Sequence, residues 1–398
     1  MNNENIKALC DEVLMNTYGE RQAAFVSGEG AYLRDEAGKK YLDMVAGIAV
    51  CALGHCHPAV VDAISAQAKE LIHVSNLYYV RPQAELARLL VENSFGRRVF
   101  FSNSGAEANE TAIKIARKFG AESGRSGIIT MEGSFHGRTM ATLTATGQDK
   151  VKKDFAPYLP GFKTVEFNSL DAVKSAVTDK TVAVMLEPIQ GERGNRVSSI
   201  EFIQGLRELC DARDLLLIFD EIQCGLGRTG KLFAYEHYGA APDIMTLAKP
   251  LGGGLPLGAA IAAGKVSDVL TPGSHGSTFG GNPVACAAGY AMLDFMLTGG
   301  IVKKAGPLGK RLIAGFERLR EKYDFITDVR GMGLMAGFEL SFPGKKIVDA
   351  CFGRGLLVNC TSENFIRFLP PLTVSPHQLD SALGILDDVF SDVKHGFL

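Results

Sequence analysis

Short runs of apolar residues alternate with amphipathic stretches from about residue 50 to residue 290, and this alternation limits the possible folds of the 398-residue chain. The runs are rich in β-branched and aromatic residues and contain few polar positions, which predicts strands buried on both faces. Alternation of such strands with helices favours a mostly parallel α/β sheet. The predicted strands and helices are Val99–Phe101, Gly127–Thr130, Val182–Leu186, Leu215–Phe219 and Ile244–Leu247, and Glu107–Phe119 and Ile200–Asp211.

The two ends of the chain have a different pattern. The first 45 or so residues predict a helix and short strands, at residues 6–15, 25–26 and 31–33. Beyond residue 290 the pattern predicts an α+β unit, with a helix over 307–322, strands over 334–340 and 365–369, and a closing helix capped by Ser375. We therefore expect three parts: an N-terminal segment (1–48), a large domain (49–290) and a small C-terminal domain (291–398).

Composition and charge exclude several classes of protein. With 46% hydrophobic and 22% charged residues the chain reads as globular, and a net charge of −2 argues against a nucleic-acid binder. The first twenty residues carry acids and amides rather than a signal peptide, and no apolar run reaches the roughly 18–20 residues that span a bilayer. Eight scattered cysteines form no CxxC pair. We expect a cytoplasmic protein without membrane contact or disulfides.

Asp220 directly follows the apolar run 215–219. Ligands of open α/β sheets bind beyond the carboxyl ends of the strands, and a buried carboxylate there needs a cation or a hydrogen-bond donor. A protonated pyridine nitrogen would be such a partner. The alternatives are that Asp220 caps the next turn or pairs with a nearby arginine such as Arg228.

Lys249 follows another apolar run, at residues 244–248, and precedes Pro250 and three glycines. A lysine in this position is either a solvated strand end or a desolvated amine that can form a Schiff base. Glycines at 252–254 would let the backbone pass close to a flat ligand.

A third strand is followed by the turn Ser104–Gly105–Ala106 and then by a helix. The free N–H groups and the dipole at the start of a helix stabilise a phosphate. Ser104 and Glu107 also form the pattern of a capping box, which marks a helix start in either case.

Two further motifs suggest other chemistry. The segment 225–230 fits the GxGxxG pattern of dinucleotide sites, but four mixed residues separate it from its strand and no clear helix begins at its third glycine. The cluster His55–Cys56–His57, near Cys51, contains metal-ligand types, but neighbouring residues of an extended chain point to opposite faces. We expect a turn closed by Pro58, and no metal.

Segments along the whole chain resemble those of the class III aminotransferases, which are pyridoxal-phosphate (PLP) enzymes of fold-type I. The matching segments include FFSNSGAEANE, FHGRT, LEPIQGE, FDEIQCGLGRTG, AKPLGGG, GSHGSTFGGNP and IRFLPPL. The resemblance implies an α/β fold: a large domain with a mostly parallel seven-stranded sheet flanked by helices, and a smaller α+β domain formed by the C-terminal part and the N-terminal segment.

The resemblance also implies a role for each cofactor residue. Lys249 would carry PLP as a Schiff base and move a proton, and Asp220 would hold the charged pyridine nitrogen. Gln223 would approach the phenolic oxygen, and Phe135 would lie over the ring. The phosphate would bind to Ser104, Gly105 and Ala106 and to Thr278 of a neighbouring subunit, so the resemblance implies a homodimer with shared active sites.

For substrates, the resemblance implies transfer of the δ-amino group of N-acetylornithine to 2-oxoglutarate, with arginines binding the carboxylates. Arg367 would take the α-carboxylate of glutamate or 2-oxoglutarate, and Arg138 the carboxylate at the far end of each substrate. Glu192 would pair with Arg367 when the amine enters, and Ser277 would contact the substrate. By themselves, both arginines would more commonly form ordinary surface ion pairs.

Three positions bear on the choice of substrate. Arg193 stands where the family usually has a small residue, and Cys224 where it usually has threonine. Ile48 stands near the position where ornithine aminotransferases tend to carry tyrosine, which favours the acetylated substrate. The alternatives within the class are succinyl-diaminopimelate, succinylornithine, ornithine and 4-aminobutyrate, and outside it an NAD-dependent oxidoreductase.

Overall fold

The computed structural model describes residues 3–19 and 21–397. The extreme ends of the predicted N- and C-terminal parts, residues 1, 2 and 398, and residue 20 lie outside the described residues.

The strands, in chain order, are β1 (Phe25–Glu29), β2 (Tyr32–Asp35), β3 (Lys40–Asp43), β4 (Arg98–Ser102), β5 (Gly127–Met131), β6 (Phe162–Val165), β7 (Thr181–Leu186), β8 (Ile189–Gln190), β9 (Arg196–Val197), β10 (Leu216–Asp220), β11 (Ile244–Leu247), β12 (Gly258–Ala262), β13 (Ile326–Met332), β14 (Met335–Leu340), β15 (Leu356–Leu357), β16 (Asn359–Thr361) and β17 (Phe365–Phe368). The helices are α1 (Asn3–Val13), α2 (Ala46–Ala49), α3 (Pro58–Glu70), α4 (Arg81–Glu92), α5 (Gly105–Gly120), α6 (Met140–Ala145), α7 (Asp149–Lys152), α8 (Leu170–Ala176), α9 (Ile200–Ala212), α10 (Pro283–Thr298), α11 (Ile301–Lys322), α12 (Lys345–Gly353) and α13 (Pro376–Lys394), with short 3₁₀ turns at Ala234–His237, Lys249–Gly252 and Gly264–Val266.

A seven-stranded sheet with the order β4-β12-β11-β10-β7-β5-β6 forms the centre of the molecule. Strand β12 runs antiparallel to both of its neighbours, β4 and β11, and the other pairs are parallel. The five predicted strands of this region are confirmed to within one residue at each end. Strands β6 and β12 are not among the predicted strands, and the sequence GAAIA of β12 lacks the run of β-branched and aromatic residues that indicates a strand.

Helices cover both faces of this sheet, because its strands have apolar residues on both sides. On one face Ala112 and Ile113 of α5 pack with Ile218 of β10, and on the other Ile203 and Leu206 of α9 pack with Leu217. Helix α5 begins at Gly105 because the side chain of Ser104 accepts a hydrogen bond from the N–H of Glu107. The predicted α/β layering is therefore confirmed.

The ends of the chain form a second unit. Strands β13, β14, β17 and β16 make an antiparallel sheet, and β1, β2 and β3 make another that β15 extends through parallel pairing with β3. The N-terminal segment thus joins the C-terminal part, as the predicted fold class requires. The predicted boundary at residue 290 falls inside α10, and the three-part division itself stays a prediction.

Candidate active site

A cleft of about 460 Å³ lies at the carboxyl ends of the central parallel strands. Three features meet there: the carboxylate at the end of β10, the lysine after β11, and the turn Ser104–Gly105–Ala106 after β4, which we call the phosphate turn for its predicted role. The residues that line it include Val50, Ser104, Gly105, Ala106, Phe135, His136, Arg138, Glu187, Glu192, Asp220, Gln223, Lys249 and Gly254. We call it the cofactor cleft. Nine of the twelve site residues predicted from sequence line this cleft, and a tenth, Arg367, contacts Glu192 and Gln223 of the lining.

Asp220 is the last residue of β10 and is buried beneath the cofactor cleft. Its Oδ2 accepts hydrogen bonds from Nδ2 of Asn109 (2.7 Å) and Nδ1 of His136 (2.8 Å), and its Oδ1 accepts one from the N–H of Ile222 (3.1 Å). Donors on both oxygens stabilise the ionised carboxylate, which can then hold a cation of a ligand.

The two alternatives for Asp220 have different outcomes. The hydrogen bond from Ile222 shows that Asp220 does cap the following turn. Pairing with Arg228 is wrong, because Nη1 of that buried arginine donates to the carbonyl oxygens of Leu334 (3.1 Å) and Pro370 (2.5 Å). These hydrogen bonds connect the loop after β10 to the C-terminal part of the chain.

Lys249 is half-buried at the start of a 3₁₀ turn after β11, where it lines the cofactor cleft. Burial lowers the pKa of its amine, and the nearby carboxylates of Glu192 and Asp220 offset part of that shift. No hydrogen bond to the amine is present among the described residues. Its backbone has φ 41°, a left-handed conformation that costs a side-chain-bearing residue energy and is typical of functional sites. Desolvation of the amine favours the Schiff-base alternative for Lys249 over a solvated strand end.

The glycines after Lys249 differ from the prediction. Gly254, with φ 114°, lines the cofactor cleft, but a Cβ on Gly253 would lie 2.8 Å from Val60 of α3. Gly253 therefore serves helix packing, and only the last of the three glycines lies against the ligand space.

The phosphate turn lies at the N-terminus of α5, as predicted. No hydrogen bond from the N–H of Gly105 or Ala106 is present among the described residues, so both donors are free for an anion in the cleft. The capping box is shifted by one residue, since Oε2 of Glu107 accepts from the N–H of Asn103 (2.6 Å) rather than from that of Ser104.

Phe135 and Arg138 also line the cleft. The guanidinium carbon of Arg138 lies 5.5 Å from the centre of the Phe135 ring, a cation–π distance. The arginine is exposed, and no ion pair to it is present among the described residues. It is therefore able to bind a carboxylate that enters from solvent.

Arg367, on β17, is almost fully buried and is held by several acceptors. Its Nη1 donates to Glu192 Oε1 (2.8 Å), Gln223 Oε1 (3.1 Å) and the carbonyl of Gly191 (3.1 Å). Burial raises the pKa of Glu192, but the charge and hydrogen bond of Arg367 outweigh burial and leave that pKa below its ordinary value. The predicted pairing of Glu192 with Arg367 is present in the structure.

Ser277 and Thr278 do not line the cofactor cleft of their own chain. Ser277 Oγ accepts from the N–H of Gly280 (2.9 Å) and lies 3.3 Å from Nδ2 of Asn103, and Thr278 is exposed. A contact of Thr278 with a phosphate would therefore have to come from a neighbouring subunit.

Three residues of the site were not identified from sequence. Asn109 and His136 both bind Asp220, and Glu187 lies at the end of β7 with Oε2 accepting from the N–H of Phe135 (2.8 Å). Burial and the charge of Asp220 raise the pKa of Glu187 well above its ordinary value. Strand-end position could have indicated Glu187, as it did Asp220, whereas a polar residue inside α5 gave no comparable signal for Asn109.

The motifs that suggested other chemistry have structural roles. A Cβ on Gly227 would lie 2.7 Å from Cε of Met296, so the GxGxxG segment packs against α10 and no helix begins at Gly230. His55 pairs with Asp43, and α3 begins at Pro58 after the turn predicted there. The described residues contain no group of three or more potential metal ligands. Among these residues no single helix is long and apolar enough to cross a membrane. Helices α10 and α11 reach that length and apolar composition only together, as a pair bent by 71°.

A wider cleft, about 1430 Å³, opens from the cofactor cleft toward solvent. We call it the substrate mouth; its lining includes Ile48, Lys150, Glu192, Arg193, Arg196, Glu363 and Arg367. Arg193 is exposed there, and its Cγ lies over Gly133. Cys224, the other departure, is buried away from the mouth.

The cofactor cleft matches the chemistry of PLP at four points. The free N–H groups at the start of α5 suit a phosphate, and Asp220 suits a protonated ring nitrogen. Phe135 offers a ring face for stacking, and the desolvated amine of Lys249 can form a Schiff base with an aldehyde. The residues present therefore fit this cofactor.

Comparison with known proteins agrees with this fit. The family model for class-III aminotransferases matches residues 15–390, and the chain belongs to this family. It is a PLP-dependent aminotransferase.

Relatives of known name are similar over their whole length. An acetylornithine aminotransferase of Methanocaldococcus jannaschii is 50% identical over 99% of this chain and 100% of the relative. Another, of Caldanaerobacter subterraneus, is 52% identical over 96% of this chain and 98% of the relative. Among solved structures, the ornithine aminotransferase of Toxoplasma gondii superposes with a TM-score of 0.96 at 32% identity, covering 100% of this chain and 96% of the other.

Proposed function

We propose that the protein transfers the δ-amino group of N-acetyl-L-ornithine to 2-oxoglutarate, giving N-acetyl-L-glutamate 5-semialdehyde and L-glutamate. The reaction would be a step of arginine biosynthesis in the cytoplasm. Full-length similarity to two acetylornithine aminotransferases supports this choice.

Lys249 is the proposed catalytic base. Burial lowers the pKa of its amine, which enlarges the neutral fraction that can attack a carbonyl carbon and accept a proton. Nζ would remove a proton from the carbon that bears the transferred amino group. PLP, when bound, would supply an aldehyde that takes up the amino group and a ring that stabilises negative charge on the substrate carbon.

The other cofactor residues bind and orient. Asp220, fixed by Asn109 and His136, would hold a positive charge on the ring nitrogen. Gln223 would approach the phenolic oxygen, and Phe135 would cover one ring face. Ser104, Gly105 and Ala106 would hold the phosphate.

The pairing of Glu192 with buried Arg367 is the observation that carries the choice of reaction. The two half-reactions need opposite states of one site: the amine presents no carboxylate next to the reacting carbon, and glutamate does. With the amine, Glu192 neutralises Arg367; with glutamate, Glu192 releases it to the α-carboxylate. Arg138 would bind the carboxylate at the far end of both substrates, and Ser277 would contact the substrate from a neighbouring subunit.

The experiment is a measurement of steady-state rates of the purified protein with 2-oxoglutarate and a panel of amines. We expect the highest kcat/KM with N-acetylornithine, and parallel double-reciprocal plots typical of ping-pong kinetics. A higher kcat/KM with any other amine of the panel would refute the substrate assignment.

Ornithine is the second candidate amine, and the similarity to the Toxoplasma gondii enzyme favours it. Ile48 at the substrate mouth favours the acetylated amine instead, since the resemblance expects tyrosine there for ornithine. The same panel, extended to succinylornithine, succinyl-diaminopimelate and 4-aminobutyrate, separates these substrates.

A homodimer with shared sites would complete the phosphate site through Thr278. Exposed apolar side chains next to this residue support the proposal, since Tyr78, Tyr79 and Phe279 lie on adjoining loops that Asn76 connects by hydrogen bonds to the carbonyls of Ser277 and Gly280. Complementation tests it. We expect a mixture of the inactive variants Lys249→Ala and Thr278→Asp to regain activity, because one site of each mixed dimer has both native residues. A mixture as inactive as its components would refute the shared site.

A further inference from the structure

Helix α2 is a left-handed turn of the backbone at the edge of the active site. Its four residues have positive φ: 50° at Ala46, 64° at Gly47, 63° at Ile48 and 63° at Ala49. Three of them carry a Cβ, which crowds the following carbonyl in this conformation. A run of strained residues persists only where the surrounding contacts hold it.

Asp43 supplies the contacts at the start of this turn. Its Oδ1 accepts hydrogen bonds from the N–H groups of Val45 (2.8 Å) and Ala46 (3.0 Å). Its Oδ2 lies 2.7 Å from Nε2 of His55, beyond the other end of the turn. Hydrogen bonds to Asp43 and to Cys51 raise the pKa of His55 to about 10, which favours the protonated ring of His55 at neutral pH.

The turn is also attached to the strand that carries Arg367. The N–H of Leu369, two residues after Arg367, donates to the carbonyl of Met44 (2.7 Å), and the N–H of Met44 donates to Leu357 (3.0 Å). We call the pair of Asp43 and His55 the brace. Met44, the residue after Asp43, therefore connects the brace to the strand that carries Arg367.

The turn directs two side chains to the active site. Ile48 lines the substrate mouth with Glu192 and Arg367, and Val50, just after the turn, lines the cofactor cleft with Lys249. We propose that Asp43 and His55 are positioning residues for the amine substrate, because they hold the left-handed turn and thereby fix the wall of the mouth. This inference rests on the proposed function.

The test is the holoenzyme of Asp43→Asn, which keeps the size of the side chain and removes its charge. We expect the ratio of kcat/KM for N-acetylornithine to that for 4-aminobutyrate to fall by about tenfold, because a displaced pocket wall discriminates less between amines. The absorbance of bound PLP should not change. If Asp43→Asn does not fold, His55→Gln, which can still donate to Asp43 without a charge, replaces it, with a smaller fall expected in the same direction.

Asp35→Asn is the matched control. Asp35 is buried in the same sheet and accepts hydrogen bonds from Tyr41 (2.9 Å) and Lys39 (2.9 Å), but it does not touch the turn. We expect this variant to lose thermal stability and to keep wild-type selectivity. An equal loss of selectivity in both variants, or wild-type selectivity in Asp43→Asn, would overturn the proposal.

A second substitution tests the role of strain. Ala46→Gly, added to Asp43→Asn, removes the Cβ from a left-handed residue and should restore selectivity by about threefold. Absence of any restoration would overturn the role of the brace. If the wild-type protein does not turn over N-acetylornithine, the proposed function fails, whereas the selectivity between two amines that it does accept still tests the brace.

Discussion

The cofactor cleft and the substrate mouth are adjacent, yet their charged groups are held differently. In the cofactor cleft, Asp220 is buried and bound by donors on both oxygens. At the mouth, Glu192 is about one-third exposed and shares Arg367 with a neutral amide and a carbonyl. The cleft is preorganised for one ligand that stays, whereas the mouth has a pairing that can be exchanged between two substrates. The predictions below test this difference.

Lys249→Ala should cause the largest loss. Without the amine, turnover of N-acetylornithine should fall by at least about a thousandfold, since both proton transfer and covalent attachment are lost. Activity assays and mass spectrometry after borohydride reduction measure the two effects. Residual fold is checked by thermal unfolding, and near-normal transamination by this variant would remove Lys249 from the mechanism.

Asp220→Asn should reduce kcat by about a hundredfold or more, because the charge on the ring nitrogen is no longer held. Glu221→Gln is a matched control: this neighbouring carboxylate points away from the cleft and accepts from the N–H groups of Ala234 (2.6 Å) and Tyr235 (2.7 Å). We expect near-wild-type kcat in the control. Equal losses in the two variants would mean that the local packing at the end of β10, rather than contact with the cofactor, sets the rate.

The stability of the region behind the cleft should depend on pH through Glu221. Burial raises the pKa of this carboxyl to about 8, so the folded state binds its proton more tightly than the unfolded state. The contribution is then complete below the ordinary pKa of 4.5 and is lost as pH rises toward 8. Relative to Glu221→Gln, the wild-type unfolding free energy should fall by up to about 1.4 kcal/mol per pH unit in that window. Parallel curves for both proteins in denaturant series at pH 5 to 8 would contradict this.

Glu192→Gln should separate the two half-reactions. The amine would meet an unneutralised Arg367, so KM for N-acetylornithine should rise by about tenfold, while the glutamate half-reaction should be little affected. Single-turnover rates with each donor measure the split. Glu363→Gln, which alters another carboxylate of the mouth, is the control and should change neither. A uniform loss with both donors would argue against exchange at Arg367.

Arg193→Ala should have the smallest effect, a change of less than about threefold in kcat/KM for either substrate. The side chain is exposed and has no ion pair among the described residues. Arg196→Ala is the control, because it removes another exposed arginine of the mouth. A larger, substrate-specific change in Arg193→Ala alone would make this departure from the family pattern a determinant of specificity.

Much of the cofactor cleft could be predicted because its residues follow apolar strands. Strand ends are visible in a sequence, and they indicate Asp220, Lys249 and the turn at Ser104 without a family resemblance. Asn109 could not be found in this way, since it lies on a helix and reaches Asp220 only through the fold. For Arg367 and Glu192, 175 residues apart in the chain, only the family resemblance gave a partner.

The backbone features were the least predictable. Four of the five residues of strand β12 are glycine or alanine, and the left-handed turn at residues 46–49 contains only one glycine. In both cases long-range packing outweighs local preference, and a single sequence carries no record of such packing.

Strand β12 also sets a length. It lies between β4, which ends at the phosphate turn, and β11, which ends at Lys249, so these two features are separated by two strand spacings, about 10 Å. Backbone hydrogen bonds fix this span, and Gly258 allows close approach, since a Cβ there would lie 2.3 Å from the carbonyl oxygen of Ser104. The sheet thus fixes the distance between the phosphate turn and Lys249, and this distance fits a ligand of one length. Substitution of side chains at the substrate mouth can therefore alter which amine enters without changing the distance between the phosphate turn and Lys249.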